Sequence, residues 1–220
     1  TGPQVEAAKK IYSPAVNPRT GQQLFSCLVP GTELGWGVQA AGPGPSSNIY
    51  VQYRYVVFKD PKWDWKTFDF DKHAARGDLP ENLIMNATDP NMKAFFWRGG
   101  MLLLYHGWSD TNVAAPNTIK YFNSVVDVMG GEANASKSIR LFMAPGMGHC
   151  GGGEGPNTFD KIGALEKWVE QGIAPDKLIA SHSTNGKVDR TRPLCPFPQV
   201  AKHTGTGSIH DAANFVCRLP

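Results

Sequence analysis

Residues 100–110 read GMLLLYHGWSD, and residues 138–150 read SIRLFMAPGMGHC. Each contains a short, continuous apolar run bounded by glycine or proline, the pattern of a strand buried on both faces. Between them a polar turn, WSDTNVAAP, leads into a predicted helix around Asn117–Met129 that Gly130-Gly131 closes. The second run passes into a Gly-rich loop, MGHCGGGEGPN, and then FDKIGALEKWVEQG, whose Phe159, Ile162, Leu165, Trp168 and Val169 fall on one helical face. Strand, helix, strand, helix in this order predicts a parallel sheet with a right-handed crossover, the α/β class. The regular rhythm predicts an α/β domain over residues 96–220.

Residues 1–95 lack that rhythm and read as a separate, irregular, lid-like subdomain. TGPQVEAAKKIY predicts an opening helix, with Thr1 as cap, Pro3 near its first turn and Val5, Ala8, Ile11 and Tyr12 at helical spacing. Beyond it lies a Gly/Pro-rich aromatic tract: PGTELGWG, AAGPGPSS, IYVQYRYVVF (strand or helix) and PKWDWKTFDFD. Asp60-Pro61 and Asp89-Pro90 mark turns or boundaries. After Ser181 the chain reads as a Pro/Gly-rich loop.

The 220 residues are 41% hydrophobic and 19% charged with a net charge of +3, a globular rather than a disordered composition. Lys and Arg are scattered, so no nucleic-acid partner is expected. No apolar stretch approaches the ~20 residues a membrane span needs, and no membrane partner is expected. Neither an initiator Met nor a signal peptide is visible, which fits a mature protein or a processed half of a longer precursor. Cysteines stand at 27, 150, 195 and 217 without a C-x-x-C pair, so no metal site is predicted. Asn86-Ala87-Thr88 and Asn134-Ala135-Ser136 are N-glycosylation acceptor triplets. With paired cysteines they point to a secreted, extracellular protein.

Chemistry concentrates just beyond the carboxyl ends of strands in such sheets. Asp110 follows the first strand and His149 the second. An Asp that accepts one imidazole N–H leaves the other ring nitrogen as a general base. In hydrolases of this architecture the chain order is Ser, Asp, His, and these two match the last two members. The plainer alternatives are a helix-capping or turn-forming Asp and a solvated His.

The strand-HGxxD, helix, strand-PGMGHC pattern resembles the tannase/feruloyl esterase family. RTRPLCPFPQVAKHTGTGSIHDAANFVC (190–217) is similar to that family's closing segment, and PGTELGW (30–36) to part of its lid. The resemblance implies the C-terminal part of an α/β-hydrolase parallel sheet, with Asp110 and His149 as the triad's acid and base. It implies a Cys195–Cys217 disulfide, and for Cys150 a bridge to a cysteine beside the nucleophilic Ser; Cys27 has no implied partner. The family's Gly-Cys-Ser-x-Gly-Gly elbow and its calcium loop are not found here, and Ser46, Ser47 and Ser208 lack the strand-turn-helix setting of a nucleophile. Ser, oxyanion hole and structural calcium are therefore expected on an N-terminal segment of the same precursor, linked through Cys150, with no cofactor for the chemistry itself.

On this reading the chain is part of an esterase cleaving small aromatic esters of phenolic acids by an acyl-enzyme route. Trp36, Trp63, Trp65 and Phe68 are candidates to stack on the acyl group, and His106, one turn from Asp110, is a further substrate-binding candidate. Each has packing as its alternative. The competing functional class is a non-catalytic, hydrolase-like module that binds an aromatic or glycosidic ligand.

Overall fold

The computed structural model describes residues 1–37 and 42–220, the side chains of Ser47 and Leu83 excepted; Ala40 and Ala41 of the AAGPGPSS tract lie outside the described residues. The chain divides into two compact units, Thr1–Asp89 and Pro90–Pro220.

In the first unit, helix α1 (Gly2–Ile11) begins at Thr1 with proline in its first turn. None of its residues is buried, so the Val5 stripe stays open. A minimal antiparallel pair, β1 (Ala15–Val16) and β2 (Gln23–Phe25), follows. The IYVQYRYVVF tract is helical: α2 (Ser47–Gln52) runs into one wider π-type turn, Tyr53–Val57. Short helices α3 (Phe70–His73) and α4 (Pro80–Leu83) complete the unit. Its interior is largely aromatic. Trp63 stacks on Phe58 at 4.6 Å and lies within ring-contact distance of Tyr50, Tyr53 and Phe68.

The second unit opens with α5 (Lys93–Trp97) and β3 (Leu102–Gly107). Helix α6 (Ala115–Val128) and the single turn α7 (Glu132–Ala135) carry the chain back to β4 (Ile139–Ala144). β3 and β4 pair in parallel from Leu102↔Ile139 to Gly107↔Ala144. α6 ends as predicted: Gly130 takes φ +82°, a left-handed conformation that costs an L side chain energy and glycine little.

The core is built by the two-residue alternation of β4. Ile139, Leu141 and Met143 pack with Phe96, Phe122, Val125 and Ala135, while Phe142 and Ala144 pack with Met147, Leu178, Ala180 and Leu194. Side chains this completely buried contribute about 1.5–3 kcal/mol each. β3 departs from the prediction of a strand buried on both faces. Its residues are half-buried up to Gly107, because β4 covers one edge and no strand pairs with the other among the described residues.

Helix α8 (Lys161–Gln171) forms where predicted, but its stripe is covered unevenly. Trp168 is buried, whereas Ile162 and Val169 are exposed. The tail after Ser181 is not loop-like. It forms two antiparallel pairs, β5 (Leu178–Thr184) with β6 (Lys187–Leu194), and β7 (Val200–His203) with β8 (Phe215–Arg218). The reason is local: Asn185 and Gly186 both take positive φ, the two-residue turn whose twist matches antiparallel strands. Cys195 and Cys217 form the implied disulfide, with an S–S distance of 2.03 Å.

Candidate active site

The site is assembled where β3 and β4 end side by side. Trp108 N donates to Ala144 O at 3.0 Å and Ser109 N to Met147 O at 3.0 Å, so the two loops are laced together by backbone. Gly107 makes this possible: a Cβ there would stand 2.2 Å from the Met147 carbonyl oxygen. The Gly-rich loop folds back just as closely, for a Cβ on Gly153 would meet Gly146 O at 2.1 Å.

Asp110 is buried, its side chain 3% exposed. Its Oδ1 accepts from the Asn112 and Val113 amides at 2.7 and 3.0 Å, an Asx turn leading into α6. Its Oδ2 lies 2.7 Å from His149 Nδ1. The Asp is therefore turn former and imidazole partner at once, one oxygen for each role. Since a carboxylate only accepts, the proton between them sits on Nδ1 and the lone pair of His149 is on Nε2. The His149 ring is 48% exposed, so a reacting group has access to it. Cys150, next in the chain, is an exposed free thiol at φ +61°.

His106 lies on the other side of the carboxylate, with its side chain 11% exposed. Nε2 is 3.1 Å from Val113 O and 3.2 Å from Asp110 Oδ2, and Nδ1 is 2.7 Å from Thr118 Oγ1 in the first turn of α6. Thr118 was not a candidate from the sequence; nothing in a helix-start threonine signals a contact with an imidazole twelve residues earlier.

Trp63, Trp65 and Phe68 line one apolar cleft of about 460 Å³ in the first unit, with Tyr50, Tyr53 and Phe70. Trp36 is apart from it, donating through Nε1 to Thr32 Oγ1 at 3.1 Å and packing edge-on against Tyr12. Asn86 and Asn134 are both exposed. Cys27 is a half-buried free thiol.

Among the described residues no three His, Cys, Asp or Glu side chains gather as a metal site. The acidic residues of the aromatic tract are otherwise engaged: Asp69 caps α3, and Asp71 pairs with Arg19 and Asn17. No serine hydroxyl is hydrogen-bonded to His149 among the described residues. No helix among them is long and apolar enough to cross a membrane.

A parallel strand pair that presents Asp and His at adjacent strand ends is an arrangement found in the α/β-hydrolase type of fold. The sequence matches the family described as tannase and feruloyl esterase over residues 1–218. This chain belongs to that family. It is 44% identical over 189 residues to the mono(2-hydroxyethyl) terephthalate hydrolase of Piscinibacter sakaiensis, covering 82% of this chain and 30% of that protein. It is 34% identical over 264 residues to an uncharacterized esterase of Xanthomonas campestris, covering 99% of this chain and 46% of that protein. The crystal structure of an esterase from Aspergillus oryzae superposes with a TM-score of 0.90 at 28% identity, covering 99% of this chain and 46% of that one. The chain thus spans half or less of the length of these relatives.

Proposed function

We propose that this chain supplies the acid and base of a Ser-His-Asp carboxylic ester hydrolase whose serine stands on a segment outside it. The observation that carries the reading is the Asp110–His149 pair, with its buried carboxylate, 2.7 Å contact and accessible ring. His149 Nε2 takes the proton of the serine hydroxyl as the hydroxyl oxygen attacks the ester carbonyl. It returns that proton to the departing alcohol, and the resulting acyl-enzyme is released by water. Asp110 holds the ring in the required tautomer and stabilises the imidazolium.

The open edge of β3 supports a partner segment, because half-buried Leu102, Leu103 and Leu104 suit a strand flanked on both edges. The exposed Cys150 thiol next to the base suits the disulfide that would tie the nucleophile loop to His149. The structural calcium and the oxyanion hole that the family resemblance implies are assigned to the same segment. The cleft of Trp63, Trp65 and Phe68 in the first unit suits an aromatic group of the gallate or ferulate kind; Trp36 stands apart from it, held by Thr32 and Tyr12. The family relationship and the acceptor triplets at Asn86 and Asn134 support secretion.

The test is turnover of methyl ferulate, methyl gallate and 4-nitrophenyl acetate by the full-length protein and its Asp110→Ala and His149→Ala variants. Each variant should fold and lose activity by orders of magnitude. Near-normal turnover in either variant refutes the assignment.

A further inference from the structure

We infer that His106 is a positioning residue, clamping the Asp110 carboxylate and its turn from behind, and makes no contact with substrate. The inference rests on the hydrolase reading of the Asp110–His149 pair. At 11% exposure the His106 ring has little surface to offer a ligand, and both of its nitrogens are engaged. Nε2 faces two groups that only accept, the Val113 carbonyl and the Asp110 carboxylate, so it carries the proton. The hydrogen bond proper runs to Val113 O, and Asp110 Oδ2 shares the same face at 3.2 Å. Nδ1 is then free to accept the hydroxyl proton of Thr118.

The ring thereby joins three pieces of chain: its own strand end, the 110–113 turn and the first turn of α6. Val113 is bound at both ends of this arrangement, its amide donating to Asp110 Oδ1 and its carbonyl accepting from His106. If the imidazole is lost, the Val113 carbonyl loses its donor and Oδ2 keeps only His149 as a partner. The carboxylate stays tied at Oδ1 by the Asn112 and Val113 amides, but the tilt of Oδ2 toward His149 Nδ1 is less closely set. A hydrogen-bonding group misplaced by an ångström costs turnover rather than binding.

The experiment compares His106→Phe and His106→Gln in the full-length protein, assayed with whichever of methyl ferulate, methyl gallate and 4-nitrophenyl acetate the parent turns over fastest. Phe keeps the bulk and removes both nitrogens, whereas the Gln amide restores an N–H near Nε2. For His106→Phe we expect kcat to fall roughly tenfold to a hundredfold, up to the cost of misplacing a working group by about an ångström, with KM within about twofold. His106→Gln should recover most of that loss. Equal losses in Phe and Gln would mean a packing role, a raised KM with intact kcat would mean substrate contact, and unchanged kinetics would mean no role; each overturns the inference. If His106→Phe does not fold, Thr118→Val reads the same clamp, with a several-fold lower kcat at unchanged KM expected and parental kinetics overturning it. Asp110→Ala and His149→Ala separate the two levels. Activity in these variants sinks the hydrolase reading and this inference together, whereas their inactivity beside normal His106 variants sinks this inference alone.

Discussion

Asp110 and His149 meet at 2.7 Å across a sharp change of environment, the carboxylate 3% exposed and the imidazole 48% exposed. The buried partner is fixed by its turn, and the accessible partner presents its second ring nitrogen outward. Replacing Asp110 with Asn preserves the acceptor for the Asn112 and Val113 amides but allows an amide N–H to face His149, favouring the wrong tautomer. In the full-length protein Asp110→Asn should therefore fold normally and lose kcat by on the order of 10⁴-fold. Circular dichroism alongside steady-state kinetics checks both halves; a loss of folding would show that the turn, not the tautomer, dominates.

Gly107→Ala should destabilise the second unit by about 3 kcal/mol or more. The added carbon would stand 2.2 Å from Met147 O and 2.5 Å from Gly148 O, both backbone atoms that cannot step aside without moving the His149 loop. Urea unfolding measures the effect, and a change below about 1 kcal/mol would show that the two loops are less closely joined than this.

Reduction of Cys195–Cys217 releases a cross-link between positions 22 residues apart. Chain-entropy reasoning puts its contribution near 3 kcal/mol. The unfolding midpoint should fall when the protein is reduced, and a Cys195→Ala/Cys217→Ala variant should show the same fall without reductant.

Asp189 sets a pH dependence. The Thr184 hydroxyl, then His182, hold its carboxyl below the usual carboxylate range. A depressed carboxylate stabilises the fold above the unfolded value, about 4, and that contribution is lost as pH falls through the lower folded value. Asp189→Asn should therefore flatten the acid limb of the stability curve below about pH 4. Denaturant titrations across pH 2.5–7 decide it.

Cys150 should be alkylated readily by iodoacetamide in this chain by itself, where the thiol is exposed. In the full-length protein it should resist alkylation until reduced. Intact mass under non-reducing and reducing conditions checks this, and a Cys150 that is freely alkylated in the unreduced full-length protein counts against the proposed bridge.

Much of the second unit was legible because its signals are local. Apolar runs of strand length, Gly130 as a helix stop and the Asp and His just past each strand depend only on neighbours in sequence. The hairpin of β5 and β6 was legible too, in Asn185-Gly186, yet the Pro/Gly content around it read as loop. The aromatic tract gave no comparable guidance. Rings that line a cleft and a ring tied to Thr32 and Tyr12 have the same composition, and Trp36 parted from Trp63 and Trp65 only in three dimensions.

The pattern of residues 100–150 determined by itself that Asp110 and His149 would stand at neighbouring strand ends, since backbone periodicity and turn chemistry act over a few residues. Which of the two histidines is covered and which is open was decided by tertiary structure alone. His106 and His149 are chemically identical, and what separates them is the packing of Thr118 and Val113 around one ring and the openness of the Gly-rich loop around the other. Those contacts join β3, the 110–113 turn, α6 and the loop after β4, and no local stretch of sequence encodes which imidazole is covered.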